Sequence, residues 1–397
     1  MKINVIEKIR NRITISGTIK FLALLFLAGA YVFGVINNSQ LHHLNLMKIY
    51  SQGNIVKISS HPLIYKYGET KKNLLGYVVV QREQGWGGPL YVAIEVDLKR
   101  KIKNVHVLQH KETSSFYTKL VSNKFFDQFV GKKITSSLAL GEDIDSVSRA
   151  TISSMGFTKA IRSGSYIVAK KIHKLKIKEK KVLWKFGSNE VILIVLFLFI
   201  LIGFIGKFTK IRYFSMAAGL IFLGFYLSMP LSISHVTSVF FGYFPVPQEY
   251  LLWWILILGI FLMIVFIGRN LYCSWLCPFG ALQEFLGRIS NINLKLHPHI
   301  IKYGKFLRSF LTWFSLMIIF ISRNPALGNY EPFAAIFSFQ GSGIIWYVLP
   351  VILFSSFFIR RSWCRFFCPA GMALDSACKT RNSLMKFNFD LLKKSNT

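Results

Sequence analysis

Six apolar runs limit what this chain can fold into. They lie at about residues 17–36, 189–206, 213–233, 250–268, 306–322 and 344–359. Runs of this length match the hydrocarbon core of a bilayer, where a single segment satisfies its own backbone only as a helix. The expectation is an all-α polytopic membrane domain of about six transmembrane helices. A hydrophobic fraction of 52% agrees with it, as does a mean hydropathy of +0.43. The first run follows the basic residues Lys2, Lys8, Arg10 and Arg12. No small-residue cleavage site comes after it, so it reads as a retained anchor and not as a signal peptide.

The charge is lopsided: 49 Lys and Arg against 17 Asp and Glu, a net +32. Such an excess first suggests nucleic acid. Here the basic residues flank apolar runs and no nucleic-acid recognition motif is present, so lipid and topology explain them and no nucleic-acid partner is expected. Residues 207–212, 269–308 and the tail after 359 are basic, whereas 237–249 hold no Lys or Arg. By the positive-inside rule both termini lie in the cytoplasm and the protein sits in a bacterial cytoplasmic (inner) membrane.

Polarity changes divide the chain into four parts: residues 1–36, a cytoplasmic N-terminus and anchor; 37–170, a mixed-polarity domain; 171–188, a basic linker suited to lipid headgroups; and 189–397, a five-helix membrane domain. Within the second part, residues 75–82, 89–97 and 102–109 read as strands, and Gly85-Trp-Gly-Gly88 turns the first into the second. Residues 115–130 and 153–165 read as helices. This is a small α+β domain between the first two spans, on the extracytoplasmic side.

Two places carry chemistry. The first is Asp145-Ser-Val-Ser-Arg-Ala-Thr-Ile-Ser-Ser154, a turn opening into a helix. Ser148, Ala150, Thr151, Ser153 and Ser154 are small or hydroxylated, and free N–H groups at a helix start suit a phosphate. Arg149 would add charge to such a site. The plainer alternative is a Ser-rich helix cap. The second is a repeat: Arg269-Asn-Leu-Tyr-Cys-Ser-Trp-Leu-Cys-Pro-Phe-Gly-Ala-Leu-Gln-Glu284 recurs as Arg360-Arg-Ser-Trp-Cys-Arg-Phe-Phe-Cys-Pro-Ala-Gly-Met-Ala-Leu-Asp375. Cys273 and Cys277, and again Cys364 and Cys368, are four apart and would share a helix face, with the following proline ending or kinking that helix. Together they offer four soft thiolates, enough for an iron–sulfur cluster, a single iron, or a structural zinc. Cys378 has no sequence partner and reads as a free thiol. His235 is either a quinone or haem contact or, more simply, a packed histidine.

The run from Gly85-Trp-Gly-Gly-Pro-Leu90 through His110-Lys-Glu-Thr113 to Asp145-Ser-Val-Ser-Arg-Ala-Thr151 resembles the FMN-binding domain of Nqr/Rnf-type electron-transfer complexes and of the NosR/NirI family. The cysteine repeat resembles the membrane domain of that same family. The resemblance implies FMN joined covalently to Thr151 by a flavin transferase, with His110, Glu112 and Thr113 near the flavin. Arg149 stands where glycine is commoner. It also implies electron transfer from a cytoplasmic or quinol donor, through the cysteine-bound centre, to the flavin and an extracytoplasmic acceptor. Family members often continue into a soluble ferredoxin domain; this sequence carries no such motif, so a separate ferredoxin-like donor or a membrane quinol is expected. Two alternatives are a redox-sensing regulator and a metalloenzyme assembly partner. On this layout the cysteines and the flavin stand about one bilayer core apart, roughly 30 Å, which is long for a single electron jump.

Overall fold

The computed structural model describes residues 2–37, 41–50, 55–60, 62–70, 73–85, 87–148, 150–177, 184, 186–290, 292, 294–339, 341 and 343–395. Trp86 and Arg149 lie outside these residues.

A five-stranded antiparallel meander organises the first half. Strands β1 (Ile55–Ser60), β2 (Leu63–Thr70), β3 (Asn73–Gln84), β4 (Pro89–Asp97) and β5 (Ile102–Gln109) are neighbours in sequence order. The continuous apolar run Val78-Val-Val80 is explained by burial on both faces. Val79 points with Ile94 and Val96 to one side; Val78 and Val80 point with Tyr65 and Ala93 to the other. The first face is covered by helix α4 (Thr151–Lys171), through Phe157, Ala160, Ile161 and Val168. The second is covered by helix α2 (Leu41–Ile49), through Leu46, and the Asn45 amide donates to the Leu108 carbonyl at 2.7 Å. Helix α1 (Lys2–Asn37) precedes α2.

Three details differ from the sequence expectation. Strands β1 and β2 were not foreseen, because Ile55-Val-Lys-Ile-Ser-Ser60 is mostly exposed and shows a weak period. The helix expected over 115–130 is two pieces: α3 (Ser114–Ser122) and a 3₁₀ turn, Phe125–Phe129. Lys124 adopts a left-handed φ of 51° between them, which lets Phe125 and Phe129 both turn into the core. And α4 runs longer than expected at both ends, starting at Thr151 itself.

The second half is helical: α5 (Ser188–Ile205), α6 (Thr209–Gly219), α7 (Ile233–Phe240), α8 (Leu251–Ile267), α9 (Pro278–Ile289), α10 (Pro298–Ser322), α11 (Phe333–Phe337), α12 (Ile345–Phe358), α13 (Ser362–Phe366) and α14 (Pro369–Ser395). Three stretches are long and apolar enough to cross a membrane: Gly17–Asn37 in α1, α5 and α10. Helices α8 and α12 are apolar but shorter. The run expected over 213–233 is α6 continued by a π-helical segment, Leu220–Tyr226. It stops short of 233 because Ser228 takes a left-handed φ of 52° two residues before Pro230. The outward faces of α1, α5 and α10 carry exposed Phe, Leu and Ile, as lipid-facing helices do.

The sheet domain is docked on this helical half. Lys159 on α4 pairs with Glu249, just before α8, at 3.1 Å and with Glu83 of β3 at 3.6 Å. Ser238 on α7 donates to the Gly87 carbonyl at 3.4 Å. Helix α1 packs along α10, with the Trp313 indole donating to the Ala23 carbonyl at 3.1 Å.

Candidate functional site

The three stretches 85–90, 110–113 and 145–154 meet at one place. Glu112, 1% exposed, joins them. Its Oε1 accepts from the Gly87 N–H at 3.2 Å and its Oε2 from the Ser153 hydroxyl at 2.5 Å. The glycines are required by this closeness. A Cβ at Gly85 would meet Glu112 Oε1 at 2.3 Å, one at Gly87 the Lys111 carbonyl oxygen at 2.0 Å, and one at Gly88 the Lys111 Cβ at 2.9 Å.

Within the turn, Ser154 Oγ accepts from the Val147 N–H at 3.2 Å and donates to the Ala150 carbonyl at 3.0 Å. Ser153, Ser154 and Ala150 are buried, whereas Ser148 and Thr151 are exposed. The two inner hydroxyls thus build the turn, and the Thr151 hydroxyl, at the first residue of α4, faces outward. His110 lies with its ring stacked on Tyr117 of α3, centroids 3.8 Å apart. Burial lowers its pKa to about 4, with the Lys111 charge adding to the effect, so the ring is neutral at pH 7. Thr113 is the residue before α3.

The cysteine repeat forms the second place. Cys273, Cys277, Cys364 and Cys368 line one cavity of about 300 Å3. The expected pair of cysteines on a single helix face is not what forms. Cys273 sits in a π-helical turn, Tyr272–Leu276, and Cys277 leaves the helix with ψ 119°. Pro278 and Pro369 do not end a helix; each is the first residue of a new one, α9 and α14, because proline lacks the N–H that a first turn leaves unused. Backbone N–H groups at these helix starts turn toward sulfur: Gly371 N–H donates to Cys368 Sγ at 3.3 Å. Among the described residues, no three His, Cys, Asp or Glu side chains converge tightly enough to hold one ion. The four thiols line one cavity and together offer the thiolate set that an iron–sulfur cluster uses. Cys378 is a buried free cysteine outside this cavity lining.

The two copies of the repeat exchange their polar ends. Asn270, second in its copy, donates to Asp375, last in the other, at 2.8 Å. Arg361, second in its copy, pairs with Glu284, last in the other, at 2.6 Å. Two more arginines complete the pattern, Arg212 on Glu284 at 2.7 Å and Arg308 on Asp375 at 3.1 Å. Arg361 also donates to the Cys273 carbonyl at 2.9 Å, and Arg308 to the Cys368 carbonyl at 3.0 Å. The sequence shows these acids and arginines as a matched repeat but not their crossing.

A further cavity, of about 150 Å3, lies between the sheet domain and the helical half. Gly87, Lys111 and Thr113 to Phe116 form one wall; Ser232, His235, Glu331 and Phe333 are on the others. His235 is buried, and its Nδ1 faces the Ser232 hydroxyl at 2.9 Å. Phe333 also lines the cysteine cavity. Glu331 spans the same gap, accepting from the Ile233 N–H at 3.0 Å and from the Ala370 N–H at 3.3 Å. The loops around 228–232 and 323–333 reach inward to the cysteine repeat: Leu231 N–H donates to Tyr272 Oη at 2.8 Å, and Tyr330 Oη to the Phe367 carbonyl at 2.6 Å.

Comparison with known proteins matches the segments that hold both places. Residues 85–164 match the FMN-binding domain family. Residues 250–297 and 341–388 match the 4Fe-4S binding domain family. The regulatory protein NosR of Pseudomonas aeruginosa is 28% identical over 193 residues, covering 43% of this chain and 26% of that protein. The protein NirI of Paracoccus denitrificans is 28% identical over 195 residues, 43% of this chain and 27% of its own. NosR of Stutzerimonas stutzeri is 27% identical over 210 residues, 46% of this chain and 28% of its own. The aligned region thus spans about a quarter of the length of these relatives. The chain is a NosR/NirI-like flavoprotein, pairing an FMN-binding domain with a 4Fe-4S binding domain in a protein whose helices suit a membrane.

Proposed function

We propose that this protein moves electrons between an iron–sulfur cluster held by Cys273, Cys277, Cys364 and Cys368 and FMN held covalently on Thr151. The observation that carries the reading is the shared wall. Phe333 lines both the cysteine cavity and the cavity bounded by Lys111 and Thr113 of the FMN-binding domain. That supports a route through packed side chains in place of a jump across a whole bilayer core. A bound cluster supplies one electron at a time, and a flavin takes up two and passes them on singly.

The chain's own residues have separate tasks in this reading. The Ser154 and Glu112 hydrogen bonds shape the turn that presents Thr151 to a flavin transferase. Ser148 and Ala150 flank the phosphate, and Arg149, between them in sequence, adds positive charge. The four cysteines bind iron; Arg361 and Arg308 hold the carbonyls of Cys273 and Cys368 and offset negative charge at the centre. Phe279 and Trp363, both on the cavity wall, keep water out. The protein is a multi-pass protein of a bacterial inner membrane with about six spans, both termini in the cytoplasm and the FMN-binding domain outside. A ferredoxin-like protein or a quinol supplies electrons, and an extracytoplasmic acceptor receives them.

The test is flavin fluorescence in a denaturing gel, on protein made together with an active flavin transferase. Wild type is expected to give a fluorescent band and Thr151→Val none. A dark wild-type band, with the transferase active on a control substrate, contradicts the reading.

A further inference from the structure

Helix α4 presents two different faces. Phe157, Ala160, Ile161 and Val168 lie on the sheet. Lys159, Arg162, Ser163, Tyr166 and Lys170, set at helical intervals, line a separate cavity of about 690 Å3. Its other wall is the segment before α8, through Val246 and Glu249. The chain beyond α4 brings one more cation to the same place. Lys174 takes a left-handed φ of 52°, and the Leu175 N–H donates to the Ala169 carbonyl at 2.9 Å, so the chain folds back along the helix. Leu175 and Ile177 pack on the domain core, and Lys176, between them, joins the cavity wall.

Among the described residues of this wall, four cations (Lys159, Arg162, Lys170 and Lys176) face one carboxylate, Glu249. That carboxylate is taken by Lys159 at 3.1 Å. Among the described residues, no carboxylate lies within ion-pair distance of Arg162 or Lys176. A helix C-terminus favours lysine in its last turn, which accounts for Lys170. It does not account for Arg162, in mid-helix, or for Lys176, beyond the end. Ile167, Ile177 and Val246 stand beside these cations. Positive and apolar groups on one wall suit an amphiphile with a negative head. The level of the cavity agrees. Glu249 comes two residues before the apolar helix α8, and α5 begins at Ser188. Trp184 and Phe186, just before α5, are 62% and 61% exposed, and Trp254, in the first turn of α8, stacks on Phe244. Aromatic side chains at the ends of apolar helices mark the depth of lipid headgroups.

We propose that this cavity binds one anionic phospholipid, its phosphate between Arg162 and Lys176 and its acyl chains directed along the apolar helices. The lipid bridges α4 to the segment before α8, alongside the Lys159–Glu249 pair, and so helps to hold the sheet domain on the helical half. This site lies outside the electron route proposed above and depends only on the chain lying in a membrane. A soluble acidic partner would meet the charge, but it would not use Ile167, Ile177 and Val246 or the aromatic level.

The experiment is native mass spectrometry of the full chain in detergent, with phosphatidylglycerol or phosphatidylcholine added. It compares wild type, the double variant Arg162→Gln with Lys176→Gln, and Arg162→Lys. Wild type is expected to retain one phosphatidylglycerol in preference to phosphatidylcholine. The double variant is expected to bind that lipid about tenfold more weakly, the scale of losing two basic contacts with an anionic headgroup, and Arg162→Lys to keep it. Unchanged phosphatidylglycerol binding in the double variant overturns the proposal. So does a wild type with no preference between the lipids, which leaves the cations to a soluble acidic partner. Displacement of the lipid by inorganic phosphate at the same concentration would make this a free-anion site and overturn it as well. Should the double variant not accumulate, Lys176→Gln, at an exposed position, is read in its place by the same criteria. None of these readings uses flavin or iron, so their failure leaves the electron-transfer reading standing, and a chain without flavin leaves the lipid site standing.

Discussion

Glu112 and the glycines opposite it explain why three separated stretches form one site. The carboxylate takes one hydrogen bond from the Gly85–Gly88 turn and one from α4. Gly85, Gly87 and Gly88 fit there because they lack side chains. Gly87→Ala puts a Cβ 2.0 Å from the Lys111 carbonyl oxygen. Backbone would have to move, so the substitution is expected to cost about 2 kcal/mol. Thermal unfolding with the flavin fluorescence as reporter measures it; an unchanged midpoint would mean that the turn is not held against Lys111. The family resemblance grouped these residues near a flavin, and the structure brings the three stretches together. The resemblance did not show their roles. Glu112 was read as a flavin contact, and its oxygens are found on Gly87 and Ser153. Lys111 was passed over, because nothing in Gln109-His-Lys-Glu112 marks one lysine as buried; burial there depends on Ser322 and Arg323, more than two hundred residues away.

The elements are held by crossings that a linear pattern hides. The helix starts at Pro278 and Pro369 turn the two cysteine loops toward one cavity, and the exchange of Asn270 with Asp375 and Arg361 with Glu284 locks one loop to the other. Arg361 shares Glu284 with Arg212, so removing it leaves that carboxylate with one arginine and takes the guanidinium from the Cys273 carbonyl, at about 1–3 kcal/mol. Arg361→Gln is therefore expected to lower the iron bound per chain while the covalent flavin stays, and iron analysis beside gel fluorescence reads both. Full iron in that variant would show that the exchange does not shape the centre. In the sheet, Glu95 is 5% exposed on β4 and binds Lys103 at 3.1 Å and the Asn104 amide at 3.3 Å. Burial alone would raise its pKa, but its hydrogen bonds and the Lys103 charge outweigh burial and hold it below the ordinary value of 4.5. A carboxyl with a lowered folded-state pKa stabilises the fold above its ordinary value and loses that contribution as pH falls through the folded one. The sheet domain is expected to lose stability below about pH 4.5, and Glu95→Gln to show less of that loss. Equal acid sensitivity in both, by circular dichroism melts, would remove Glu95 from the account. Strands β3 to β5 were legible because β-branched and aromatic residues fill them between turn residues. Strands β1 and β2 were not, since β1 is an exposed edge with Lys57, Ser59 and Ser60 diluting its period.

At the scale of the whole molecule, the apolar runs announced a membrane protein and the cysteine repeat announced a bound centre. What they could not give was the distance between that centre and the FMN-binding domain. The topology read from the charges places the two about a bilayer core apart, roughly 30 Å. The structure brings the loops around Ser228–Ser232 and Asn324–Phe333 in to the cysteine repeat, and one phenylalanine lines both cavities. Those loops carry Ser, Asn, Pro and Gly, a composition that reads as plain connection. Their inward path is set by single tertiary hydrogen bonds, such as Leu231 to Tyr272, with no sequence signature. The most direct test of the two-centre account is the iron, acid-labile sulfide and covalent FMN content of the anaerobically purified wild-type chain. A 4Fe-4S centre with flavin requires four irons, about four sulfides and about one FMN per chain. Zinc in place of iron, or iron with no flavin on the same chain, would contradict it.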